Sequence, residues 1–448
     1  MIKPKISPIP KKISSKKIKQ DRKIRLAFYG DSPSCTTGFA TVSRNILMGL
    51  HATNRFDIEV YGINYWGEPH DFPFKIWPLC FNNDLNGRPD MFGRKKILEL
   101  LTKEKRRYDI YFFLNNPHKL TFLPAIISHL NQEKRRFASI VYYPIDATPD
   151  KKWLENIQDA DRIVAYSKYG MRETLNIMPE LKSTTSIIYH GVDPNVFFPL
   201  PKSERILFKR NYFGISEDTY LVTNVNRNQL RKDIPRTMMA FKEFKKKVSN
   251  SILYLHMARK DVGGDIVEMA KMLNMKERED ILFPDINFSP GKGVSTEFLN
   301  KIYNAGDLIV STATGEGWGL SSIEAMAAKR PCLFPDHTTL SEIFADGRGK
   351  LIKTGGDQDH FAFVPEEPVR MRPIVHINDM ADKMLWMYKN RSNVKRMVQK
   401  SYKWVTQKLI WNEHIVPQWI KLIDKALEQP VQKKIKTFTK TKDYIEYI

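Results

Sequence analysis

The chain has 448 residues, 42% of them hydrophobic and 27% charged, so it is long enough for two or three domains and too apolar to be mostly disordered or fibrous. No stretch approaches the roughly 18 consecutive apolar residues that span a membrane. The 72 Lys and Arg residues exceed the 50 Asp and Glu residues by 22, which indicates a polyanionic partner: nucleic acid, anionic lipid or a phosphorylated glycan. The three cysteines form no CxxC pair, so a disulfide framework or zinc site is not expected and a reducing compartment is favoured.

Both ends of the chain are basic. Residues 1–21 are rich in Lys, Pro and Ser and lack the apolar core of a secretory signal, so they are predicted to be a solvated, disordered tail. The alternative is a flexible arm that contacts the phosphates of a polyanion. Residues 429–448 are predicted to form a second basic tail.

Strand, loop and helix then alternate along the chain. Short apolar runs that read as buried parallel strands occupy residues 24–30, 57–63, 108–114, 138–143, 162–167 and 186–190. A proline- and glycine-containing segment, residues 190–199, reads as a linker. The alternation resumes after it, with strands predicted at residues 219–225, 251–257, 280–286, 307–312 and 331–335.

This pattern predicts an α/β fold with two doubly wound, Rossmann-like domains. The first domain is predicted to span residues 22–198 and the second residues 199–400, with C-terminal helices at 401–428. Trp404, Trp411 and Trp419 have a spacing that allows one shared helix face, for which core packing across a domain boundary is the default interpretation.

The most informative segment is the turn in residues 311–327, which follows a predicted strand and precedes a helix that starts near Ser321. Its glycines allow close backbone approach to a ligand, and the N–H groups of the helix N-terminus favour an anion. Glu316 lies in the turn and Glu324 lies one turn into the helix, so their carboxylates can accept hydrogen bonds from sugar hydroxyls. The alternative is a surface carboxylate and a first-turn partner of the helix dipole.

The segment resembles the E-x7-E signature of family 4, the retaining glycosyltransferases with the GT-B fold. It departs from the family pattern at Trp318 and at Lys329-Arg330. The resemblance implies two Rossmann-like domains that face a cleft, with a C-terminal helix that crosses back to the first domain. It also implies that Glu324 binds the ribose of a nucleotide sugar, that Glu316 lies near the donor sugar, and that the diphosphate faces backbone N–H groups at Gly319, Leu320 and Ser321.

Residues 225–233 are similar to a second element of that family, with Arg227 and Lys232 in register. Two fixed cations would stabilise a leaving nucleoside diphosphate without a metal. The alternative for an isolated motif is a pair of solvent-facing basic residues. Arg231 is an additional cation to which the resemblance assigns no role.

Two weaker matches lie in or beside the first domain. Residues 30–38 resemble the loop that closes over the donor phosphate and sugar, and Gly38 is the residue predicted to approach the ligand. His190 begins a segment similar to the family's inter-domain element, where a structural role in the linker is expected.

The acceptor side is less defined. Asp146 follows a predicted strand at a position where many family members have a histidine, and it is the candidate for orienting the acceptor hydroxyl or contacting the donor sugar. A turn-forming Asp is the alternative. His118 and Asn115 follow another strand and are further acceptor-side candidates.

The resemblance therefore implies a metal-independent, retaining sugar transfer from a nucleotide sugar, with UDP favoured over GDP and no cofactor. For the acceptor, the basic charge favours a hydroxymethylated base in phage DNA, with the enzyme in the host cytoplasm. One alternative is an envelope enzyme that acts on an anionic lipid, lipopolysaccharide or polysaccharide and binds the membrane peripherally. Another is a catalytically silent GT-B scaffold that binds nucleic acid.

Overall fold

The structure is a computed structural model that describes residues 22–80, 90–102, 106–132, 136–285, 288, 293–365 and 369–428. The two predicted tails lie outside these residues. The contacts divide the chain into two units. The first contains the residues up to His190 and those from Trp411 onward, and the second is Gly191–Ile410.

In the described residues, the first unit is built around a seven-stranded parallel sheet of order β3-β2-β1-β4-β5-β6-β7. Its strands are β1 (Ile24–Asp31), β2 (Phe56–Ile63), β3 (Lys75–Pro78), β4 (Ile110–Leu114), β5 (Ala138–Tyr143), β6 (Arg162–Ala165) and β7 (Thr185–Ile187). The helices before the linker are α1 (Gly38–Ala52), α2 (Arg94–Thr102), α3 (Leu123–Gln132), α4 (Lys151–Glu155) and α5 (Lys168–Ile177). The central strands β4 and β5 are buried at every position, as expected for a parallel sheet covered on both faces.

The second unit contains a six-stranded parallel sheet, counted over its described residues, of order β12-β9-β8-β13-β14-β15. Its strands are β8 (Tyr220–Val225), β9 (Ser251–His256), β10 (Lys260–Asp261), β11 (Gly264–Asp265), β12 (Ile281–Leu282), β13 (Leu308–Val310), β14 (Cys332–Pro335), β15 (Lys350–Ile352), β16 (Phe361–Val364) and β17 (Arg370–Pro373). Strands β10 and β11 form an antiparallel pair, as do β16 and β17. Its helices are α6 (Lys202–Phe208), α7 (Ile234–Lys245), α8 (Ile266–Met272), α9 (Thr296–Ala305), α10 (Leu320–Ala327), α11 (Thr338–Ile343), α12 (Ile377–Lys389) and α13 (Arg391–Lys408).

The last helix, α14 (Val416–Glu428), belongs to the first unit, where it packs on α1 and β5. Trp419 is fully buried there, with its ring 4.9 Å from Phe112 and 4.7 Å from Tyr142. The contact with α1 is close because Gly49 has no side chain: a Cβ at that position would lie 2.4 Å from Cγ2 of Val416. The prediction of two α/β domains with a returning C-terminal helix is therefore confirmed.

The chain does not return to the first unit through one continuous C-terminal helix. Helix α13 lies in the second unit, and the chain passes to the first unit between Ile410 and Trp411. Of the segment 401–428, only residues from Trp411 onward therefore lie in the first unit. The expectation that Trp404, Trp411 and Trp419 share one face is wrong, because Trp404 lies in α13, with the Arg348 guanidinium 4.4 Å from its ring centroid, while the other two lie in the first unit. None of the described helices is long and apolar enough to cross a membrane.

Candidate functional site

Three loops meet at one edge of the second unit's sheet. Strands β8, β13 and β14 are neighbours and parallel, so their carboxyl ends lie side by side. The loops that follow them are residues 226–233, 311–319 and 336–337. Ligands of open α/β sheets bind beyond this edge.

The first two loops are joined by an ion pair between Lys232 Nζ and Glu316 Oε1. Both side chains are buried, at 7% and 8% exposure for the whole residues. Arg231 donates from Nη1 to the carbonyl of Gly315 at 3.0 Å, and the same nitrogen lies 3.6 Å from Glu316 Oε2. Two cations and one carboxylate therefore lie together at the strand ends, with a formal sum of +1.

Backbone hydrogen bonds fix the same two loops against each other. The N–H of Thr314 donates to the carbonyl of Arg231 at 2.7 Å. Oγ1 of Thr312 lies 2.9 Å from the carbonyl of Lys232 and 2.8 Å from that of Asp233. Because these are short contacts between residues far apart in sequence, the cationic cluster is held by the fold before any ligand binds.

The third loop and the start of α11 hold the turn that carries Glu316 by hydrogen bonds. We call His337, Thr338 and Thr339, which make these bonds, the clasp. His337 is buried, with Nε2 2.7 Å from the carbonyl of Ala313 and Nδ1 3.1 Å from Oγ1 of Thr338. Burial lowers the pKa of His337 to about 4, so the ring is neutral and donates from Nε2. Oγ1 of Thr338 in turn accepts from the N–H of Glu316 at 3.2 Å. Thr339 adds a bond from Oγ1 to the carbonyl of Gly317 at 2.9 Å.

The clasp places Thr338 in a backbone conformation with φ of +50°. A β-branched residue adopts this left-handed region at a cost, so the surrounding contacts must hold it there. Strain of this kind is concentrated at functional sites.

Helix α10 begins directly after the turn. Its N-cap residue, Gly319, has φ of +91° and provides no side-chain cap, and a Cβ there would lie 3.1 Å from Cδ2 of Leu340. Glycine therefore fits the conformation and the space. The first N–H groups of the helix, which include those of Leu320 and Ser321, provide the positive end of the helix dipole for an anion.

Glu324 lies one turn into α10, as predicted. Its carboxylate accepts a hydrogen bond of 2.7 Å from the hydroxyl of the fully buried Tyr303. Burial raises the pKa of Glu324 to about 7, and the Tyr303 bond opposes that increase. The carboxylate is therefore oriented by the core.

Arg227 has a different environment from Lys232. Its side chain is 49% exposed and makes a bidentate ion pair with Asp261, at 2.7 and 3.2 Å. Partial burial raises the pKa of Asp261. The hydrogen bonds from Arg227 and from the N–H of Val262 lower it by more, so the pKa lies below its usual value. The structure thus brings Lys232 and Glu316 into contact and holds Arg227 through a separate carboxylate.

The first-domain candidates follow neighbouring strands of the first unit's sheet. Gly38 is the exposed first residue of α1, after β1, and Thr37 caps that helix by accepting from the N–H of Ala40 at 3.0 Å. Asn115 directly follows β4 and is buried, while His118 packs on Trp153 with 5.1 Å between the ring centroids.

Asp146 is partly buried three residues after β5. Since β1, β4 and β5 are adjacent and parallel, these candidates share one edge of the sheet. His190 is buried in the same unit, where its Nδ1 lies 2.7 Å from the hydroxyl of Tyr142, as expected for a structural residue.

Sequence reasoning missed several residues of the second unit's site. The sequence assigns no role to Arg231 and does not point to Tyr303, His337, Thr338 or Thr339. Tyr303 gave no signal, because it lies on a helix distant in sequence from Glu324. The sequence Asp336-His337-Thr-Thr directly follows a predicted strand, so polar residues at that strand end are a usable signal.

Known proteins similar to this chain include glycosyltransferases. The family model described as "Glycosyl transferases group 1" matches residues 206–363. The chain is 26% identical over 291 residues to an uncharacterized glycosyltransferase of Methanocaldococcus jannaschii, which covers 64% of this chain and 69% of that protein. It is 24% identical over 266 residues to a probable sucrose-phosphate synthase of Thermosipho melanesiensis, over 58% of this chain and only 51% of that protein.

Solved structures extend the likeness to nearly the whole chain. A sucrose-phosphate synthase from Thermosynechococcus elongatus superposes with a TM-score of 0.68 at 16% identity, over 91% of this chain and 100% of that chain. WaaG, a glycosyltransferase involved in lipopolysaccharide biosynthesis, superposes with a TM-score of 0.65 at 15% identity, over 89% of this chain and 99% of that chain. At these identities the likeness shows the fold. Residues 206–363 thus match the glycosyl transferase group 1 domain, and the chain has the GT-B fold.

Proposed function

We propose that the protein transfers a sugar from a nucleotide-sugar donor, UDP-linked rather than GDP-linked, to an acceptor hydroxyl with retention of anomeric configuration and without a metal. The observation that carries the proposal is the buried Lys232–Glu316 pair with Arg231 beside it, next to the uncapped N-terminus of α10. This arrangement concentrates positive charge where the diphosphate of a nucleotide sugar would lie.

Each residue of the site has a role in this proposal. Glu324 binds the ribose hydroxyls, since a carboxylate accepts the hydrogen bonds that hydroxyls donate. Lys232, Arg231 and the α10 N–H groups stabilise the negative charge that grows on the diphosphate as the bond from the anomeric carbon to phosphate oxygen breaks. Arg227 contacts the same phosphates if its guanidinium either leaves Asp261 or binds Asp261 and a phosphate together. Glu316 keeps Lys232 in place and lies beside the donor sugar.

The transfer balances without a protein base. The acceptor oxygen forms the new bond to the anomeric carbon, and its proton passes to the leaving phosphate oxygen, as the family resemblance implies. The cations supply the charge stabilisation that a metal ion provides elsewhere, so the proposed reaction needs no bound metal.

For the acceptor we favour a hydroxymethylated base in DNA. Helix α13 adds to the overall charge argument, because its 18 residues carry six Lys or Arg and no acid. Exposed positions on it include Lys395, Arg396 and Lys403, with Asn393 and Gln399 also exposed and no exposed large apolar residue. Such a surface suits the phosphate backbone, to which about half or more of protein–DNA hydrogen bonds are made. The target base would have to leave the helical stack to be modified.

The alternative acceptor is an anionic envelope lipid or lipopolysaccharide, and the structural likeness to WaaG favours it. Binding assays with DNA and with anionic vesicles distinguish the two acceptor hypotheses. An enzyme that acts on DNA binds duplex DNA with a steep salt dependence, whereas a lipid-acting enzyme co-sediments with anionic vesicles.

The experiment that tests the function is a panel of UDP- and GDP-sugars, assayed for donor hydrolysis and for transfer to hydroxymethylated duplex DNA and to lipopolysaccharide. We expect hydrolysis with a UDP-sugar and its loss in Arg227→Ala and Glu324→Ala. Lys260→Ala, which removes an exposed cation of the same unit, is the matched control and should retain activity. Absence of hydrolysis with every donor, together with retained DNA binding, would instead support a silent scaffold.

A further inference from the structure

A cluster of two histidines and one aspartate lies at the base of the β16–β17 hairpin. His360 immediately precedes β16, and His376 lies three residues after the end of β17. The two ends of the hairpin are tied together by the N–H of Ile374, which donates to the carbonyl of His360 at 3.0 Å. The side chains of both histidines therefore start from neighbouring backbone positions.

The donor atoms of this cluster converge. Asp357, His360 and His376 each offer one nitrogen or oxygen ligand atom, and these three atoms lie within 4.8 Å of one another. Asp357 Oδ1 contacts His360 Nδ1. The two imidazole rings are nearly parallel, with centroids 3.3 Å apart.

A backbone carbonyl orients one of the rings. His376 Nε2 lies 2.8 Å from the carbonyl of Gly355, which accepts a hydrogen bond only from a protonated nitrogen. In the neutral ring the lone pair is then on Nδ1. A ligating histidine in metal sites usually has this arrangement, with one nitrogen on the metal and the other donating to a carbonyl or carboxylate.

We propose that Asp357, His360 and His376 bind a borderline divalent metal ion of the Zn²⁺ type. Two imidazoles and one carboxylate suit zinc, whereas Mg²⁺ and Ca²⁺ prefer sites made entirely of oxygen. The cluster is partly exposed, so water completes the coordination. The site goes beyond the proposed function and takes no part in the sugar transfer.

The bound ion would fasten the hairpin to the loop before it. Three large apolar side chains on the hairpin, Phe361, Phe363 and Met371, are 40%, 74% and 58% exposed and contribute little burial to hold it. At the same base, Oγ1 of Thr354 donates to the carbonyl of Asp336 at 2.9 Å, one residue before His337 of the clasp. A metal here thus stabilises the segment next to the donor-site loop.

The test is calorimetric titration of untagged, full-length, EDTA-treated protein with ZnCl₂ alone. We expect one Zn²⁺ per chain, a raised Tm in its presence, and no competition by Mg²⁺. His360→Ala and Asp357→Asn should each weaken Zn²⁺ binding by about tenfold or more. His70→Ala, a histidine of the first unit, is the control and should bind as the wild type does.

A second measurement guards against a variant that misfolds. Co²⁺ in place of Zn²⁺ should give a visible d–d absorption band in the wild type and the control, and a reduced band in His360→Ala, while far-ultraviolet circular dichroism without metal is equal in all three. Equal Zn²⁺ affinity in wild type and His360→Ala, or no stoichiometric binding to the wild type, overturns the proposal. A wild-type protein that binds Zn²⁺ but transfers no sugar would contradict the proposed function and leave the metal site supported.

Discussion

The carboxyl edges of the two sheets are built differently. In the second unit the loops after three neighbouring strands are joined by a buried ion pair, by backbone hydrogen bonds and by the His337–Thr338 clasp. In the first unit, the candidates Asn115 and His118 lie in the loop after β4, where Asn115 is buried, and Asp146 lies in the loop after β5. A rigid, preorganised edge suits a constant ligand such as a nucleotide diphosphate, whereas candidates carried by loops suit an acceptor that varies between enzymes.

The largest expected effect comes from breaking the ion pair of the second unit. Lys232→Met removes the closer of the two cations beside the buried Glu316, so we expect donor hydrolysis to fall by about 10²–10³-fold and stability to fall by about 3 kcal/mol. Activity assays and urea unfolding measure the two losses. Lys260→Ala, an exposed cation of the same unit, should change neither; a fully active Lys232→Met variant would remove the distinction between the edges.

Changes at the first unit's edge should affect the acceptor alone. Asp146→Asn is expected to lower transfer by about tenfold or more while donor hydrolysis stays the same if the residue orients the acceptor hydroxyl. His118→Ala, at the neighbouring strand end, distinguishes an effect specific to Asp146 from a general effect of altering this edge. If Asp146→Asn abolishes donor hydrolysis as strongly as transfer, the residue acts on the donor.

The return of α14 to the first unit depends on a glycine. Gly49→Ala places a methyl group against Val416, so we expect a loss of about 1–3 kcal/mol in the free energy of unfolding despite the better helix propensity of Ala. Thermal and urea unfolding measure it. Adding Val416→Ala to Gly49→Ala should return part of the stability lost, and a double-mutant cycle that shows no coupling would contradict the close contact.

The pH dependence of donor binding should follow Glu324. Since burial raises its pKa to about 7, the carboxylate is ionised at pH 8 and largely protonated at pH 6, and ribose binding should be several-fold weaker at pH 6. The contribution of Glu324 to the stability of the fold changes with pH in the opposite direction. The folded chain holds a proton that the unfolded chain releases near pH 4.5, so this residue's contribution to stability falls as the pH rises towards 7.

Glu324→Gln separates the two effects. The variant should be more stable than the wild type at pH 8, by about 1–3 kcal/mol, and the difference should shrink towards pH 5. Its donor binding should be weak and independent of pH between 6 and 8. Glu297→Gln, which changes a carboxylate that is 70% exposed, is the control expected to follow the wild type. A Glu324→Gln variant that keeps the wild-type pH profile of donor binding would exclude Glu324 as its source.

The smallest expected effect concerns the clasp. Thr338→Gly removes the conformational cost of φ at +50° and should raise stability by up to about 1 kcal/mol, while the loss of the hydroxyl that accepts from Glu316 lowers the donor hydrolysis rate. Thr338→Asn tolerates the same φ and keeps a polar side chain, so it should lose less activity. A Thr338→Gly variant with both lower stability and unchanged activity would contradict the strain account.

Much of the fold could be predicted from the sequence because the central strands are continuous apolar runs. Strands β4 and β5 are recognisable in this way, and so is the turn between β13 and α10, where glycines and Glu316 lie close together in the chain. Short edge strands such as β3 and β15 have too few apolar residues to stand out.

The contacts of the site were less accessible to sequence reasoning. Lys232 and Glu316 are separated by 84 positions, and Tyr303 reaches Glu324 from another helix, so only tertiary packing brings them together. The same holds for the return to the first unit after Ile410, which lies inside a segment that reads as continuous helix.

The most direct test of the central claim uses a pair of changes that preserves charge balance. Lys232→Met with Glu316→Gln removes both charges of the buried pair, so no unpaired ion is left and the double variant should unfold close to the wild-type midpoint. Hydrolysis of a UDP-sugar by this variant is the measurement. The account predicts a loss of about 100-fold or more at near-wild-type stability. Hydrolysis at the wild-type rate would show that the pair serves folding alone and that the donor diphosphate binds elsewhere.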